Sequence, residues 1–305
     1  MLSLTKGGKK IAFINNNSDK CIYLKDDNDD EPEVETSPEN KLQILKSFLD
    51  MDKKLGKVEY DNLVDAFKKN NSSSLNDKLQ RKYDEGIKYI ETSLKRHLNF
   101  GKSVELFPII EEPSYRIFVS GLSGSGKSTW IAQFLKHNKP KSKEALILLF
   151  SPVDDDEAFK KLKNMVHIDL DEFESEVERE MSIDDIPEGS VCIFDDTESY
   201  KKDKKKKYLE LRNIIAERGR HKNISLINVS HNPMNGNETK IQLRESQYYL
   251  IFPRFNSRDV KLMLKTYAGF DKKEIDEIMA LNTRWALVRK TIPRYTIAQH
   301  NCICY

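Results

Sequence analysis

The sequence contains no apolar run long enough to cross a membrane. Its longest strongly apolar stretch, Ala145 to Phe150, has the length of one strand, whereas a membrane-spanning helix needs about 20 apolar residues. The N-terminus also lacks the basic and then apolar layout of a secretory signal. We therefore expect a protein with no membrane span and no secretion signal, in a cytosolic or nucleoplasmic environment.

Cysteine is scarce, with four residues in a chain of 305. A chain of this length can bury a sizeable core and does not need disulfide bonds for stability. Cys192 lies within an apolar run, where a core position is expected. Cys302 and Cys304 are close in sequence, but no second Cys or His cluster at ligand spacing accompanies them, so a metal site is the less favoured interpretation.

The net charge is also small, because the chain has 51 Lys and Arg residues and 49 Asp and Glu residues, which gives a formal charge of +2. The field of the whole molecule therefore does not select a polyanionic partner. Any affinity for nucleic acid must come from local patches of charge.

Three segments with different patterns follow one another along the chain. In residues 1–40, two short strands over 10–14 and 21–24 predict a hairpin, and an acidic, proline-containing stretch after it is typical of a solvated linker. Residues 41–104 show the apolar spacing of helices. Residues 105–305 alternate apolar strand-like runs with amphipathic stretches, which predicts a parallel sheet covered by helices.

This third segment contains most of the predicted regular structure. The predicted strands are 116–120, 145–150, 165–168, 191–194, 225–229, 248–252 and 285–289. The predicted helices lie near 128–138, 156–164, 206–219 and 258–267, and the stretch 257–281 is expected to form two helices joined at Gly269.

A phosphate-binding loop is the strongest motif of the chain. A glycine, four residues and Gly-Lys-Ser follow a predicted strand and open a predicted helix. Backbone N–H groups of such a loop surround phosphates, Lys127 reaches the β- and γ-phosphates, and the Ser128 hydroxyl coordinates Mg²⁺. The residues predicted to bind ATP are Gly121, Ser123, Gly124, Ser125, Gly126, Lys127, Ser128 and Thr129.

Two carboxylates follow the apolar strand Val191-Cys-Ile-Phe194, which fits a Walker B element. Ligands of an open α/β sheet gather at the carboxyl ends of its strands, so Asp195 is expected beside Ser128 as a metal ligand. Asp196 would then polarise the attacking water. Its side chain is shorter than the glutamate often found there, so general base and metal-shell ligand both remain open for it.

The chain then places Arg218 and Arg220 at the end of a helix, before a buried strand with a polar end. His231 or Asn232, at that polar end, could sense the state of the nucleotide. The arginines could act as an arginine finger on a neighbouring subunit, or only favour the helix dipole.

Six lysines occur within residues 201–207, directly after the predicted Walker B strand. As a flexible basic loop near the active site, they could contact a phosphate backbone. A solvated loop and a localisation signal are the alternatives.

Taken together, the loop 121–129, the strand ending in Asp195-Asp196 and the run 218–225 resemble the DNA-packaging ATPases of large DNA viruses. These include the poxvirus packaging ATPases and belong with the FtsK and HerA superfamily. The resemblance covers roughly residues 105–290. The family usually has a glutamine or similar amide at the end of the sensor strand, where this chain has Ser230-His231-Asn232.

The resemblance implies an α/β P-loop NTPase of the additional-strand type, with a mainly parallel central sheet flanked by helices. It implies a homo-oligomeric ring, a hexamer being one form, that uses ATP and Mg²⁺ to thread double-stranded DNA into a capsid, and hence a location in the host cytoplasm, at a viral factory, or in the virion. It implies that Lys127 and Ser128 bind nucleotide and metal, that Asp195 and Asp196 serve Mg²⁺ and water, and that Arg218 or Arg220 acts across the subunit interface. His231 and Asn232 complete the candidate catalytic residues, because of their place at the end of the sensor strand and not because of the resemblance.

Two other functions fit the motifs. A nucleoside or nucleotide kinase shares the P-loop, although no arginine-rich lid is visible in this sequence. A slow nucleotide-dependent switch or scaffold also fits, and no Asn-Lys-x-Asp element that would select guanine is present.

Overall fold

The computed structural model describes residues 1–25, 38–50, 52, 55–140, 142–153, 156–160, 162–169, 182–196, 202–255 and 257–305. Most of the predicted acidic linker, residues 26–37, and Lys201 lie outside the described residues, as do the side chains of residues 202–204. No helix in the described part of the chain is both long and apolar enough to span a bilayer.

The described residues form the following helices and strands. The helices are α1 (Pro38–Asp50), α2 (Lys57–Lys68), α3 (Asp77–Arg96), α4 (Lys127–His137), α5 (Lys202–Arg218), α6 (Asn237–Glu245), α7 (Ser257–Ala268) and α8 (Lys272–Ala280). The strands are β1 (Leu2–Ser3), β2 (Lys9–Ile14), β3 (Asn17–Leu24), β4 (His97–Asn99), β5 (Leu106–Pro108), β6 (Arg116–Ser120), β7 (Ile147–Phe150), β8 (Met165–Ile168), β9 (Val191–Phe194), β10 (Ser225–Ser230), β11 (Tyr248–Ile251), β12 (Ala286–Arg289), β13 (Tyr295–Ala298) and β14 (Asn301–Cys304).

A ten-stranded sheet forms the centre of the fold, in the order β4-β14-β13-β12-β11-β6-β10-β9-β7-β8. The six strands from β11 to β8 are parallel, and the other four continue the sheet antiparallel. Because β10 lies between β6 and β9, the sheet has the strand insertion that defines the additional-strand type. The predicted fold class is confirmed.

Apolar side chains on both faces explain why the parallel strands read as continuous apolar runs. On one face, Ile117 and Val119 of β6 pack with Ile131 of α4. On the other face, Phe194 of β9 packs with Tyr208 of α5, at a ring-centroid distance of 6.1 Å. Alternate residues of each strand thus bury themselves under different helices, which fixes the register of the sheet.

The two N-terminal regions pair with the sheets of residues 105–305. The predicted hairpin is present as β2 and β3, and β2 also pairs with β5 in a second sheet of order β1-β3-β2-β5. Strand β4 pairs with β14 in the central sheet. Helices α1, α2 and α3 bury a small core of their own. The three-part division of the chain stays a prediction, but both sheets cross its boundaries.

Two local predictions are wrong. The stretch predicted as a helix near 156–164 forms turns in its described residues, because Asp156 accepts a hydrogen bond from the N–H of Ala158 at 2.9 Å and closes a local turn instead. The lysine run expected as a flexible loop belongs to α5, which begins at Lys202, since lysine favours helix and apolar positions further along α5 pack on the sheet. The paired helices over 257–281 are confirmed as α7 and α8, with Gly269 between them at φ +67°.

The remaining elements were not predicted from sequence. Strands β1, β4 and β5 are two or three residues long, and β13 and β14 follow short turns near the C-terminus. Cys302 and Cys304 lie in β14, and all four cysteines are buried and form no disulfide bond. No group of three or more metal-ligating side chains occurs among the described residues.

Candidate functional site

The predicted phosphate-binding loop joins the carboxyl end of β6 to the first residue of α4. Gly126 adopts a left-handed conformation, with φ at +100°, and α4 begins at the next residue. At Gly121, an added Cβ would lie 2.6 Å from the Ser125 hydroxyl and 2.7 Å from the Phe252 ring. Backbone conformation therefore requires glycine at position 126, and close packing requires it at position 121.

Lys127 lies at the centre of this loop with a buried side chain. Its ammonium donates hydrogen bonds to the carbonyls of Gly121 and Leu122 at 3.0 and 3.1 Å. A third contact, 3.4 Å long, joins Nζ to Nδ1 of His231. The loop thus curls around its own lysine, and the positive charge is held where the loop faces the sheet.

The two predicted acidic residues follow β9 directly. Asp195 is buried, and its pKa is raised to about 6, first by burial and then by the charge of Asp196, while Lys127 opposes the shift. Asp196 adopts a left-handed backbone conformation, with φ at +51°, and its N–H donates to a carboxylate oxygen of Asp195 at 3.0 Å. Two adjacent carboxylates with one buried lysine beside them favour a bound cation.

His231 connects the acidic pair to the loop. Its Nε2 lies 2.6 Å from Oδ1 of Asp196, and its Nδ1 faces Lys127. The tautomer that satisfies both contacts carries its proton on Nε2, so that Nε2–H donates to the carboxylate and Nδ1 accepts from the ammonium. Lys127, His231 and Asp196 therefore form one continuous chain of polar contacts.

A single cleft at the carboxyl end of the sheet is lined by these groups together. From the predicted residues, the cleft is lined by Ser123, Gly124, Gly126, Lys127, Ser128, Thr129, Asp195, Asp196 and His231. Gly121 and Ser125 do not line the cleft. The carbonyl of Gly121 accepts a hydrogen bond from Lys127, and the side chain of Ser125 is buried. The P-loop and the acidic pair thus come together as the sequence predicts.

Hard oxygen ligands in this cleft fit Mg²⁺. The cleft holds the Ser128 hydroxyl and the carboxylates of Asp195 and Asp196. Mg²⁺ binds through one or two carboxylates and completes its shell with water and substrate phosphate oxygens, so it does not need a larger cluster of side chains. Burial and the charge of Asp196 raise the pKa of Asp195, and a cation bound beside the two carboxylates would lower it by stabilising the ionised form.

Three other predicted site residues do not line the cleft. Asn232 is exposed, and its side-chain oxygen accepts a hydrogen bond from the N–H of Met234 at 3.0 Å, so it closes a turn beside the cleft. Arg218 ends α5 and Arg220 follows it, both exposed and both just before the amino end of β10. The arginines are therefore at the opposite end of the sheet from the P-loop.

Arg284 and Asp156 are among the residues that line the cleft but were missed from the sequence. Arg284 lies two residues before the first residue of β12, and its Nε lies 3.3 Å from the carbonyl oxygen of Ser125. Asp156 follows β7 and adds to the raised pKa of Asp195. The rule that carboxyl ends of parallel strands converge could have indicated Asp156. No local motif marks Arg284, because its neighbours in the cleft are far from it in the sequence.

Comparisons with known proteins place the chain beside viral and secretion proteins. No family model matches it. It is 33% identical to "Uncharacterized protein V3" of the Sputnik virophage over 189 residues, which are 60% of this chain and 75% of V3.

Among solved structures, the genome packaging NTPase B204 of Sulfolobus turreted icosahedral virus 2 matches 62% of this chain and 96% of its own, with 14% identity and a TM-score of 0.43. The type VII secretion ATPase EccC of Thermomonospora curvata matches 67% of this chain and 28% of its own, with 14% identity and a TM-score of 0.43.

Proposed function

This chain belongs to the same family as protein V3 of the Sputnik virophage, and from that premise we propose that it is a Mg²⁺-dependent ATPase that translocates double-stranded DNA. The observation that carries the proposal is the convergence of the P-loop, the Asp195-Asp196 pair and His231 on one cleft. A loop that binds phosphates and a carboxylate pair that binds a cation are the two parts that ATP hydrolysis requires.

The cleft supports a division of roles among its residues. Backbone N–H groups of the loop and the ammonium of Lys127 bind the phosphates, and their positive charge stabilises the negative charge that the phosphoryl oxygens share during transfer. Mg²⁺, held by Ser128 and Asp195, would neutralise further charge on the β- and γ-phosphates when it is bound.

Asp196 is the group that accepts the proton of the attacking water in this proposal. The hydrogen bond from His231, 2.6 Å long, fixes the orientation of the Asp196 carboxylate, and a carboxylate held in this way can accept a proton from water. His231 also contacts Lys127, so a change at the γ-phosphate can alter the position of Asp196 through two contacts. His231 is therefore the sensor that we propose, and Asn232 holds the turn that follows it.

A homo-oligomeric ring, of which a hexamer is one form, would explain the position of the two arginines. Arg218 and Arg220 cannot reach the cleft of their own subunit, but an exposed arginine can enter the cleft of a neighbour and stabilise the transition state there. We propose that one of them does so, and that the ring encloses DNA.

Packaging of a viral genome into a capsid, in the host cytoplasm at a viral factory or in the virion, is the most specific form of this proposal. Two facts support it: the relative V3 belongs to a virophage, and the run 218–225 resembles viral packaging ATPases.

An ATPase assay with and without double-stranded DNA, run beside a mass measurement of the assembly, tests the proposal. We expect ATP hydrolysis that depends on Mg²⁺, rises when DNA is added and occurs in an oligomer. Transfer of the γ-phosphate to a nucleoside would favour a kinase instead. Very slow turnover that DNA does not change would favour a nucleotide-dependent switch.

A further inference from the structure

We infer that Arg284 is a second phosphate-binding residue of the cleft, and that it holds the α- and β-phosphates that ATP and ADP share. The inference rests on the proposed function, because it concerns the same nucleotide site. It assigns to this chain a cationic group on the flank opposite the Asp195-Asp196 pair.

The guanidinium of Arg284 lies against the backbone of the P-loop. Its Nε is 3.3 Å from the carbonyl oxygen of Ser125. An added Cβ on Gly126 would lie 2.7 Å from Nη2 and 3.2 Å from Cζ of Arg284. The side chain therefore occupies the space beside the last turn of the loop, where phosphate-binding N–H groups are found in such loops.

The backbone on each side of Arg284 is anchored. The hydroxyl of Thr283 donates to the carbonyl of Trp285 at 2.8 Å and accepts from the N–H of Gln299 at 3.1 Å. Trp285 is buried and meets the ring of Trp130 in α4 edge to face, with centroids 5.7 Å apart. Arg284 itself is exposed to the cleft, so its position is set by the fold while its charged end stays accessible.

Strand order places Arg284 and the carboxylates on opposite flanks of the loop. The carboxylates follow β9, and His231 follows β10, both on one side of β6. Arg284 precedes β12, two strands away on the other side. Since Ile251 of β11 pairs with both Ala286 and Ser120, the start of β12 lies at the same edge of the sheet as the P-loop. If the γ-phosphate binds beside the carboxylates, the α- and β-phosphates lie on the side of the loop where Arg284 is located.

Carboxylates outnumber cations in the lining of the cleft, so a second cation beside Lys127 would help to bind the negatively charged phosphates. Among the described residues, its lining contains four carboxylates, Asp156, Glu157, Asp195 and Asp196, and two cations, Lys127 and Arg284. Lys127 contacts the His231 side of the cleft.

A guanidinium has five N–H donors in a planar fork that matches phosphate oxygens. Within the described part of the chain, Nε is the only donor of Arg284 with a protein acceptor. The four Nη donors are therefore available to a phosphate.

Titration with fluorescent ADP and ATP in the presence of Mg²⁺ tests the inference. We expect Arg284→Ala to weaken both nucleotides about 10- to 100-fold, and by the same factor, because charged hydrogen bonds to shared phosphates are lost. The nucleotide affinities of Arg284→Lys should lie between those of the wild type and Arg284→Ala, since lysine keeps the charge but lacks the planar fork of donors.

Arg254→Ala is the matched control. Arg254 is another exposed arginine at this edge of the sheet, but its side chain bonds Asn282 and does not line the cleft. We expect wild-type affinities for this variant. Circular dichroism and thermal melting check that each variant is folded, and if Arg284→Ala does not fold, Arg284→Lys and Arg284→Gln, which retain a donor for the Ser125 carbonyl, decide the question.

Wild-type affinity for both nucleotides in folded Arg284 variants would overturn the inference, and so would a loss confined to ATP. Either result would leave the proposed function standing if wild-type protein binds and hydrolyses ATP. Wild-type protein that binds neither nucleotide would overturn both.

Discussion

The two ends of the central sheet carry different kinds of polar residue. At the carboxyl end, Lys127, His231 and Asp196 form a chain of contacts, next to the buried Asp195. At the amino end, Arg218 and Arg220 are exposed. Strand β6 has five residues, so roughly 16 Å of strand separates the two ends. The residues proposed for nucleotide chemistry thus lie at one end of the sheet, and the two exposed arginines lie at the other end, away from that cleft.

The amino end also contains an arginine with a structural role. Arg116 is buried at the start of β6, and its Nε donates to the carbonyl of Ala216 in α5. Burial lowers its pKa, and the nearby charge of Arg220 adds to the effect. Within the described residues, neither side chain of the exposed pair makes a comparable hydrogen bond, so burial distinguishes an arginine that holds the fold from arginines that are available to a partner.

Lys127→Ala should have the largest effect of any single change. Removal of the one buried ammonium in the P-loop leaves both the loop carbonyls and the phosphates without their cation, so we expect ATPase activity to fall to background. Steady-state hydrolysis measures this. Lys136→Ala, an exposed lysine near the end of the same helix, should keep wild-type activity. Activity retained by Lys127→Ala would contradict the assignment of this end of the sheet as the active site.

Arg218 and Arg220 allow the separation between the two ends to be tested directly. We expect the double variant Arg218→Ala/Arg220→Ala to lose about 10³-fold or more in kcat with little change in nucleotide affinity, because an arginine finger acts on the transition state. The single variants then show which arginine is responsible. Arg244→Ala, an exposed arginine in the last turn of α6, serves as the control.

A mixing experiment shows whether the arginine acts between subunits. The double arginine variant keeps an intact cleft, and Lys127→Ala keeps intact arginines. If the arginine acts in trans, mixed rings of these two inactive proteins regain activity, since one subunit supplies the arginine and its neighbour the cleft. No recovery in mixed assemblies, when mass measurement shows that they form, would remove the trans role.

His231→Ala should have a smaller effect within the cleft. The change removes the link between Lys127 and Asp196, so we expect kcat to fall about 10- to 100-fold while ATP still binds. Asn232→Ala is the matched control, because Asn232 adjoins His231 but does not line the cleft. A larger loss in Asn232→Ala than in His231→Ala would reverse the assignment of the sensor.

The lysine run should have the smallest effect, and it concerns DNA alone. Lys205 is half-buried and pairs with Glu238 at 2.8 Å. Lys206, which pairs with Glu210 at 3.8 Å, and Lys207 are exposed on α5. We expect Lys206→Gln/Lys207→Gln to reduce the slope of log affinity for DNA against log salt by about 2, since each phosphate contact contributes about 0.9. Lys68→Gln/Lys69→Gln, in exposed positions at the end of α2, is the control. An unchanged slope would show that these lysines are solvated and do not contact DNA.

Much of the fold can be predicted from sequence where patterns are local. Strands β6, β8 and β9 have their predicted bounds, because each is an apolar run that ends at a turn or a polar residue. The helix predicted near 156–164 failed because a local hydrogen bond of Asp156 competes with helix formation. Strands such as β4 and β14 were not predicted, since they depend on pairing partners that are distant in the chain.

The sequence by itself determined the phosphate-binding loop, the acidic pair after β9 and the layered α/β architecture. Each of these is encoded in a few consecutive residues or in a regular period, so no distant part of the chain is needed to recognise it. Only the tertiary structure decided that His231 bridges Lys127 and Asp196, that Arg284 lies against Gly126, and that the exposed arginines are at the far end of the sheet. These relations depend on strand order and register, which join residues far apart in sequence and which no local pattern specifies.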